Sequence, residues 1–576
     1  MDPTKPVGVP GADDHRSVDA VLGSPDEWIV RNEATREFVA SAVETVASLV
    51  RTTYGPKGSE SLIRTVDKQD QPETVLTADA DEIIAALERL EAFNHPVAAI
   101  LVDALDSLRR GLSDGTTTAL LLSAALVREG VVLVEEGVHP GSVVVGYAIA
   151  NARAGEVLDE LAREVGPEDV DALRDVAATA MAGADDAARR DDDAATIAAV
   201  TARLARGTDR GWIDTDDVRV LGHTAVETDL VEGVVLRREP ASYQEMEAIT
   251  TRSFERRPAI PEPIDDATVA IVDDEIDFEE TATDFETQTT SEVALSTRED
   301  VTAYTEQLEA RTAEAAERLR DLGVDVLVVQ ERVEDPVQRA FERAGVAVIE
   351  RAKYPYEDGH RLAEATGARV VSYVEDLDEA ALGTAGRVSD RLVGDEKWAT
   401  VEGCDGAAST LVVGAKTETT LRQRERRLSD ALDVAAVAAS DRQVLPGAGA
   451  PAMAVARGVR EYATSVAGRE QLAVEAFADA VETLPRTLAG NAGHDPVDAV
   501  TALRNAHADG GPAPVGLDIE SGDPVDAWRA GVVEPRRVFS QAVETAAGVT
   551  EQLLTVDAVL LPEVDLDSFD PMAEHE

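Results

Sequence analysis

The sequence predicts a multidomain protein of mixed α and α/β class, in which two helical parts bracket an α/β middle. Three observations support this prediction. Apolar residues recur at helical spacing from Trp28 to about Asp159, short β-branched runs alternate with helical stretches beyond Gly233, and helical spacing returns after LPGAGAP until about residue 550. A chain of 576 residues has room for about three or four domains of ~150 residues each.

Acidic residues dominate the composition. The chain carries 112 Asp and Glu against 54 Lys and Arg, which gives a formal net charge of −58, and it has six lysines. The acids are spread along the whole chain, a pattern typical of proteins that work in molar salt, where charge repulsion is screened. A specialised acidic partner-binding face is the alternative interpretation. No basic stripe occurs, so we expect no nucleic acid partner.

Other features of the composition exclude further classes. With 44% hydrophobic residues the chain can build cores, so wholesale disorder is excluded. Cys404 is the single cysteine, which rules out a disulfide framework or a thiolate metal site within one chain. No apolar run approaches ~18 residues and the N-terminus lacks a signal pattern, so we expect a cytoplasmic protein without a membrane span.

The first part of the chain predicts an arm followed by helices. Residues 1–27 are rich in Pro, Gly and Asp and predict a mobile arm. Residues 28–159 place apolar residues at spacings of three and four, as in EATREFVASAVETVASLVRTTYG and HPVAAILVDALDSLRRG. Residues 184–198, ADDAARRDDDAATIA, predict a solvated helix face.

The middle of the chain predicts strands and helices in alternation, which is the signal for the α/β domain. The predicted strands lie in VEGVVLRRE, ATVAIVDDEI, VDVLVVQER, AGVAVIERA, ARVVSYVED and, at about residue 408, STLVVGAK. A long charged helix, TETTLRQRERRLSDALDVAAVAAS, follows the last of these strands.

Three glycine-rich turns stand before helical segments, at Tyr54–Gly58, Ser113–Thr116 and Pro446–Ala450. Each offers backbone N–H groups and a helix amino terminus to an anion, although any one of them alone is more often an ordinary turn. Two of the turns have an acid nearby, Asp114 and Asp79. A carboxylate beside a phosphate cradle needs a cation between them, which predicts a magnesium–nucleotide site.

Residues 111–115 also match the nucleophile-elbow string G-x-S-x-G. That mechanism requires a strand before the turn and a helix after it. Because the preceding segment is helical by its periodicity, we do not favour a hydrolase built on Ser113.

Taken together and in this order, the turns resemble the motifs of group II chaperonins, the family of the archaeal thermosome and the eukaryotic cytosolic ring. The family pattern runs T-x-G-P-K-G, N-D-G, H-P-A and G-D-G-T-T-T-A. This chain has TYGPKG (53–58), ADA (78–80), HPV (95–97) and SDGTTTA (113–119). A second block of family motifs matches LPGAGAPA, FADAVETLPRTLAGNAG and GVVEPRRV. The resemblance covers about residues 35–557 and is weakest across 175–225 and 240–270.

The resemblance implies a chaperonin fold. A helical equatorial domain is built from both chain ends, a small intermediate domain acts as a hinge, and an α/β apical domain carries a helical protrusion that serves as a lid. The implied boundaries are 1–27 for the arm, 28–159 and 444–557 for the equatorial domain, 160–232 and 408–443 for the intermediate domain, 233–407 for the apical domain with its protrusion at about 274–322, and 558–576 for an acidic tail. An ordinary solvated surface helix is the alternative for the protrusion.

The resemblance also implies a role for each candidate site residue. Asp114 holds the magnesium ion, Asp430 orients the attacking water from the hinge helix, and Asp79 is the second catalytic acid near the γ-phosphate. The implied nucleotide-binding residues are Gly115, Thr116, Thr117 and Thr118 at the phosphates, Gly55 and Pro56 on the opposite wall, Gly447 and Ala448 beside the ribose, and Glu534 as the ribose-binding acid. ATP and Mg²⁺ are the implied cofactors, with K⁺ as a further candidate ion.

The chain departs from the family pattern at several glycines. Ser113 precedes Asp114, alanines stand on both sides of Asp79, and Ala448 is the middle residue of the GGG turn. The three acids are retained. Because glycine often marks an unusual backbone conformation, these replacements predict a distorted pocket and slow hydrolysis.

The function implied by the resemblance is that of an ATP-dependent chaperone subunit. It encloses non-native protein in a double-ring cavity, and Mg-ATP hydrolysis drives closure of the lid. The alternative is a structural ring subunit that binds nucleotide with little ATPase activity and co-assembles with paralogues. The implied partners are non-native proteins and copies of this chain or paralogous subunits in stacked rings, with no nucleic acid and no membrane.

Overall fold

The computed structural model of the chain describes residues 27–31, 33–66, 72–89, 96–183, 187–207, 212–238, 260–276, 298–352, 358–394, 396–406, 408–508 and 513–562. The chain forms two compact units. Unit 1 comprises Met1–Ala202 and Asp430–Glu576, and unit 2 comprises Arg203–Ser429. The division into equatorial, intermediate and apical domains stays a prediction.

The helices of the described residues are numbered in chain order. They are α1 (Glu33–Arg51), α2 (Ala80–Arg89), α3 (Pro96–Leu112), α4 (Thr116–Glu135), α5 (Pro140–Leu161), α6 (Val170–Ala180), α7 (Ala187–Gly207), α8 (Arg298–Asp321), α9 (Asp335–Arg343), α10 (Gly359–Thr366), α11 (Glu418–Asp441), α12 (Ala450–Ala463), α13 (Glu470–Val481), α14 (Thr483–Asn491), α15 (Pro496–Ala506) and α16 (Arg536–Leu554). The chain passes from unit 1 to unit 2 inside α7 and returns inside α11.

The strands are numbered in the same way. They are β1 (Glu27–Arg31), β2 (Ser61–Val66), β3 (Pro72–Thr77), β4 (Arg163–Glu164), β5 (Val218–His223), β6 (Asp229–Val231), β7 (Gly233–Arg238), β8 (Ile264–Val272), β9 (Val326–Val329), β10 (Ala347–Ile349), β11 (Val370–Val371), β12 (Gly383–Val393), β13 (Glu396–Glu402), β14 (Ser409–Gly414), β15 (Gln443–Pro446), β16 (Val515–Leu517), β17 (Pro524–Asp526), β18 (Val533–Pro535) and β19 (Ala558–Pro562).

Helix α4 lies at the centre of the unit 1 core, where it packs against α1, α13 and α16. Leu120, Leu122 and Leu126 are fully buried, and Leu121 is 1% exposed. By length and composition α4 could cross a membrane, which corrects the expectation that no apolar run reaches that length. However, 67% of the most apolar 18-residue stretch of α4 is buried inside the protein. The helix is therefore apolar all round because protein surrounds it, as expected for a core helix.

Aromatic contacts fix the helices around α4. The rings of Tyr147 on α5 and Phe477 on α13 meet edge to face with their centroids 5.9 Å apart. The buried Tyr147 hydroxyl donates a hydrogen bond to the Leu126 carbonyl oxygen of α4 at 2.9 Å. This contact joins α4, α5 and α13 and satisfies the one polar atom of a side chain that is otherwise suited to a core.

Small sheets lie within the helical unit. Strand β15 pairs antiparallel with β18 and β4, β2 pairs with β3, and β16 pairs with β17. Strand β1 pairs antiparallel with β19, with Glu27 opposite Pro562. The sequence assigned 558–576 to an acidic tail, but the apolar run AVLLP at 558–562 forms β19. The remainder of that tail and residues 1–26 of the arm lie outside the described residues.

Unit 2 contains a seven-stranded sheet with the order β10-β9-β8-β12-β13-β7, and β11 pairs with β8. Strands β8, β9 and β10 are parallel, whereas β12, β13 and β7 are antiparallel. All four residues of β9 are buried, which is why the parallel strands appear in the sequence as continuous apolar runs. A second sheet has the order β5-β14-β6. The strands predicted in the middle of the chain are confirmed, and β5, β6, β12 and β13 are additions.

Helix α8 coincides with the helical part of the predicted protrusion at 274–322. Residues 277–297 lie outside the described residues, and the role of this segment as a lid stays a prediction. The low-complexity stretch 184–198 belongs largely to α7, where one face is buried, because Ala194, Ile197 and Ala198 are fully buried. The prediction of a helix is therefore confirmed, and it is solvated on one side only.

Close packing of α5 against α13 depends on Gly146. A Cβ atom at this position would stand 2.4 Å from the Ala473 Cβ and 2.7 Å from the Glu470 carbonyl oxygen. We expect Gly146→Ala to lower the free energy of unfolding by about 1–3 kcal/mol, the usual cost of overpacking. Denaturation with guanidinium in molar KCl measures the change.

The matched control is Gly155→Ala in the same helix, where an added Cβ would meet nothing within 4 Å. Here the alanine reduces the entropy of the unfolded chain, so stability should rise by roughly 0.5–1 kcal/mol. Equal changes in the two variants would contradict the close approach of α5 and α13.

Candidate nucleotide site

The candidate site begins at the amino end of α4. Gly115 precedes the helix with φ 90°, a left-handed conformation that suits glycine, and no side chain caps the helix. By contrast, the side chains of His139, Asp169 and Asp495 accept hydrogen bonds at the starts of α5, α6 and α15. The N–H groups of Thr116, Thr117 and Thr118 therefore stand at an open helix amino terminus, which favours an anion.

Asp114 lies beside this amino terminus. Its Oδ1 accepts a hydrogen bond from the Gly115 N–H at 2.6 Å. The side chain is open to solvent, yet it is closely surrounded by protein atoms. This combination is typical of the floor of a cleft. The surrounding protein raises the pKa of Asp114, the Gly115 hydrogen bond opposes that rise, and the charge of Asp79 adds to it.

Asp79 and Asp81 bring two further carboxyl groups to the cleft from the start of α2. The Asp79 Oδ1 accepts a hydrogen bond from the Asp81 N–H at 2.8 Å, which caps the helix. Burial, with a smaller contribution from the charge of Asp79, raises the pKa of Asp81 to about 6. Asp114 is also close enough to contribute to this shift, which indicates that the three acids lie together.

Glu534 on β18 is the fourth acid of the group. Burial, with a smaller contribution from the charge of Asp114, raises the pKa of the Glu534 carboxyl to about 8. The pKa of the neighbouring Tyr54 phenol is raised well above its usual value, first by burial and then by the charge of Glu534. The Thr118 side chain bonds to Tyr54 and partly opposes this rise. These interactions link the α4 entrance, the 53–58 turn and β18.

The turn at 53–58 forms one wall of the site. Gly55 has φ 81°, and a Cβ atom there would stand 2.4 Å from the Leu488 Cδ1 of α14. Asn491 at the end of α14 donates its Nδ2 hydrogens to the carbonyl oxygens of Arg51, at 2.9 Å, and Tyr54, at 2.8 Å. The turn is therefore held against α14 by packing and by two hydrogen bonds. Pro56, half-buried, follows Gly55 in this turn.

The turn at 446–450 continues from β15. The Gly447 N–H donates to the Val532 carbonyl oxygen at 2.8 Å, next to the β18 strand that carries Glu534. The Ala448 carbonyl oxygen accepts from the Leu517 N–H at 2.9 Å. Pairing of β15 with β18 places Leu445 opposite Glu534, so this turn and Glu534 belong to the same neighbourhood.

Asp430 lies on α11, where it is half-buried. It stands at the residue where the chain re-enters unit 1. The interactions that join the four acids described above come from other residues, so the assignment of Asp430 to the attacking water stays a prediction. The helix that carries Asp430 contains the boundary between the two units.

The donor set of the cleft fits a magnesium ion that a nucleotide helps to hold. In the part of the chain that the structure describes, no group of three or more His, Cys, Asp or Glu residues is arranged to bind a metal by itself. Mg²⁺ is typically bound by one or two carboxylates together with phosphate oxygens and water. The Thr116 hydroxyl is buried and near enough to Asp81 to favour its ionised form, yet it has no hydrogen-bond geometry to any described residue.

The structure adds three residues to those predicted from the sequence. Tyr54 and Asp81 interact with the predicted acids, and Asn491 holds the wall. Tyr54 and Asn491 lie inside the quoted motifs TYGPKG and TLAGNAG, so the motifs carried a signal for them. Asp81 lies two residues after Asp79 at a helix start, where an acid is ordinary. Ser113, which we do not favour as a nucleophile, directly follows helix α3. The strand that a nucleophile elbow requires before the turn is therefore replaced by a helix.

A helical unit built from both chain ends, an α/β unit inserted between them, and an acidic cleft at an open helix amino terminus together define a chaperonin subunit. The profile of the TCP-1/cpn60 chaperonin family matches residues 46–563. The chain belongs to the TCP-1/cpn60 chaperonin family.

Individual relatives agree with this assignment. Thermosome subunit alpha of Halobacterium salinarum is 35% identical over 94% of this chain and 91% of its own length. Thermosome subunit 1 of Haloferax volcanii is 36% identical with the same two coverages. The crystal structure of a group III chaperonin in the open state is similar with a TM-score of 0.72 and 26% identity, and the match covers 91% of this chain and 98% of that chain.

The family assignment gives the function. The chain is an ATP-dependent chaperone subunit of a double ring in which proteins fold, as the sequence resemblance implied. The comparisons do not favour the alternative of a structural ring subunit with little ATPase activity.

Two of the residues that replace family glycines have a backbone that suits glycine. Ser113 has φ 53° and Ala448 has φ 58°. We expect Ser113→Gly and Ala448→Gly each to raise the free energy of unfolding by about 1 kcal/mol, because a non-glycine residue in this region is strained. Denaturation of the nucleotide-free chain in molar KCl measures the gain.

Ala80→Gly is the matched control. Ala80 is buried at the first position of α2, where its backbone is helical. Glycine should therefore lower stability, because it removes a buried methyl group and adds unfolded-state entropy. A gain in stability at Ala80, or a loss at both Ser113 and Ala448, would contradict the assignment of strain.

Proposed function

We propose that the cleft at the amino end of α4 binds Mg-ATP and hydrolyses it at a rate limited by strained turns. One observation carries this proposal: an uncapped helix entrance opens onto four acids that interact with one another. No Lys or Arg among the described residues forms an ion pair with Asp79, Asp114 or Glu534. An anion at the helix entrance and a cation at the carboxylates would satisfy both halves of the cleft.

The proposed roles of the residues follow from their positions. Asp114 would hold Mg²⁺, with the N–H groups of Gly115 and Thr116 to Thr118 on the phosphate oxygens. Gly55 and Pro56 would form the opposite wall, and Gly447 and Ala448 would flank the ribose near Glu534. When bound, Mg²⁺ neutralises charge on the transferring phosphate. K⁺ is a further ion that the same oxygen-rich cleft could accept.

Hydrolysis needs a water molecule held in line with the γ-phosphate. We propose that Asp430 orients this water and that Asp79 assists it from the start of α2. Because α11 belongs to both units, a change in its position would couple hydrolysis to domain closure and to the lid at 274–322. The strain at Ser113 and Ala448 adjoins the phosphate and ribose positions, so it should slow the chemical step more than it weakens binding.

The composition of the ring, its location and its substrates are further parts of the proposal. We propose that the ring contains copies of this chain or of paralogous subunits, that it works in the cytosol, and that it encloses non-native proteins. The net charge of −58 per subunit is the feature that bears most directly on assembly, because many such chains must lie side by side.

Asp430→Ala tests the proposed mechanism. We expect turnover of ATP to be abolished while the affinity for ATP is nearly unchanged, because the residue would act on the water and not on the nucleotide. The measurements are steady-state hydrolysis and nucleotide binding in molar KCl. Asp433→Ala is the matched control, since Asp433 is half-buried on the same helix. Normal hydrolysis by the Asp430 variant would contradict the proposal.

Asp114→Ala provides the contrasting result in the same assays. It should weaken ATP binding in the presence of Mg²⁺ and leave binding in EDTA nearly unchanged, because its proposed role runs through the cation. Equal loss with and without Mg²⁺ would instead indicate a damaged fold.

Assembly should require high salt. At about 1 M salt the Debye length is about 3 Å, which screens repulsion between acidic subunits, whereas at ~0.1 M it is about 10 Å. We expect native mass measurements to give a double ring in molar KCl and smaller species in ~0.1 M KCl. A stable ring in both conditions would contradict the dependence on screening, and a monomer in both would contradict assembly.

A further inference from the structure

A cavity lies in unit 1, away from the residues of the candidate nucleotide site. It has a volume of about 290 Å³ and is lined by residues of α12, of α15 and of the junction between α13 and α14. Among its lining residues are Arg460, Arg504, Glu482 and His507. None of its lining residues belongs to the candidate nucleotide site. A cavity of this size can hold a small ligand.

Arginines outnumber the acid at the centre of this cavity. Glu482 is 1% exposed, and three guanidinium groups contact its carboxylate. Arg504 binds it with two nitrogens, Nε at 2.8 Å and Nη2 at a shorter distance, Arg460 binds it at 3.1 Å, and Arg486 lies at 3.6 Å. Asp479 accepts from Arg460 at 2.7 Å. Arg457 and Glu461 also line the cavity and pair with each other at 3.0 Å. Four positive charges therefore stand against three negative ones, in a protein of strongly negative net charge.

Some of the arginine hydrogens remain available. The bonds of Arg460 to described residues use Nη2, which leaves Nε and Nη1 without a partner there. The bonds of Arg504 use Nε and Nη2, which leaves Nη1 without a partner among the described residues. Both side chains line the cavity. Guanidinium groups with spare N–H donors are the usual ligands of phosphate and carboxylate groups.

His507 supplies the second, independent observation. It is 1% exposed, and its Nε2 lies 2.7 Å from the Val515 carbonyl oxygen. Because a carbonyl oxygen accepts, Nε2 carries the hydrogen and Nδ1 of the neutral ring is an acceptor. Burial and the nearby Arg457 lower the pKa of His507, which favours that neutral form. Nδ1 is buried and has no hydrogen-bond partner in the described chain.

We propose that this cavity binds a small oxyanion that carries a hydroxyl group, for which hydrogen phosphate is the simplest example. The anionic oxygens accept hydrogens from Arg460 and Arg504, and the hydroxyl donates to His507 Nδ1. A fully deprotonated oxyanion such as sulfate satisfies the arginines but leaves Nδ1 unpaired. A buried acceptor without a partner is costly, so the cavity should distinguish the two ions.

The test is equilibrium dialysis of the full-length protein against labelled phosphate or labelled sulfate, in molar KCl with EDTA at about pH 6, where phosphate carries a proton. We expect one phosphate site per chain and sulfate binding about tenfold weaker, the loss of one hydrogen bond to an ion. Glycerol phosphate as competitor distinguishes the source: displacement at similar concentration indicates a phosphate ester, and no displacement indicates free phosphate.

Three variants locate the site. His507→Gln keeps a donor for Val515 and removes the Nδ1 acceptor, so phosphate binding should fall to the level of sulfate. Arg460→Gln should weaken both ions by about tenfold. Arg486→Gln is the matched control: it removes another arginine partner of Glu482, but Arg486 does not line the cavity, so binding should be unchanged.

Native mass and thermal melting confirm that each variant is folded. Equal binding of phosphate and sulfate by the unchanged protein would overturn the proposal, as would phosphate binding that Arg460→Gln does not alter. Either result would mean that the cavity holds only water. Because no Mg²⁺ is present and the variants lie outside the nucleotide site, these outcomes do not depend on the proposed ATPase mechanism.

Discussion

The burial of α4 is the constraint on which the candidate nucleotide site depends. The helix is enclosed by α1, α13 and α16, so its axis and the direction of its first turn are fixed by the unit 1 core. A capping side chain would close that turn, and none is present. The core therefore holds a set of N–H donors in place before any ligand arrives, which is the preorganisation that phosphate binding and phosphoryl transfer require.

Negative charge on three of the four acids near these donors is unfavourable in the free cleft. Burial and mutual repulsion raise the pKa values of Asp81, Asp114 and Glu534, which means that their ionised forms are less stable in the folded chain than in water. A bound cation would reverse this effect. Strain at Ser113 and Ala448 lies in the two turns that border the same cleft. Unfavourable charge and backbone strain commonly coincide at functional sites, where the rest of the fold must outweigh them.

Much of the fold could be predicted because its main elements have long, regular patterns. Helices such as α1 and α3 and buried strands such as β8 and β9 follow from apolar spacing alone. Strands β12 and β13 were missed because glycine and polar residues interrupt their apolar residues, so neither contains a continuous β-branched run. The pairing of β1 with β19 joins the two chain ends, and no local pattern encodes it. In the site, motifs identified Asp79, Asp114 and Glu534, whereas Asp81 has no motif and is recognisable only from its neighbours.

Two charged clusters in unit 1, each with a buried acid, differ in the sign of their excess charge. Glu482 is surrounded by three arginines, so the protein itself provides more than the opposing charge, and the surplus is positive. At the α4 cleft the surplus is negative. Arg109 is the one described cation whose charge opposes the rise in the pKa of any of these acids, and it acts on Asp81. A surplus of charge around a buried group is unfavourable unless it is paired or shifted in pKa. The sign of each surplus thus specifies the ligand that would complete the cluster: a cation with its nucleotide at α4, and an oxyanion between α12 and α15.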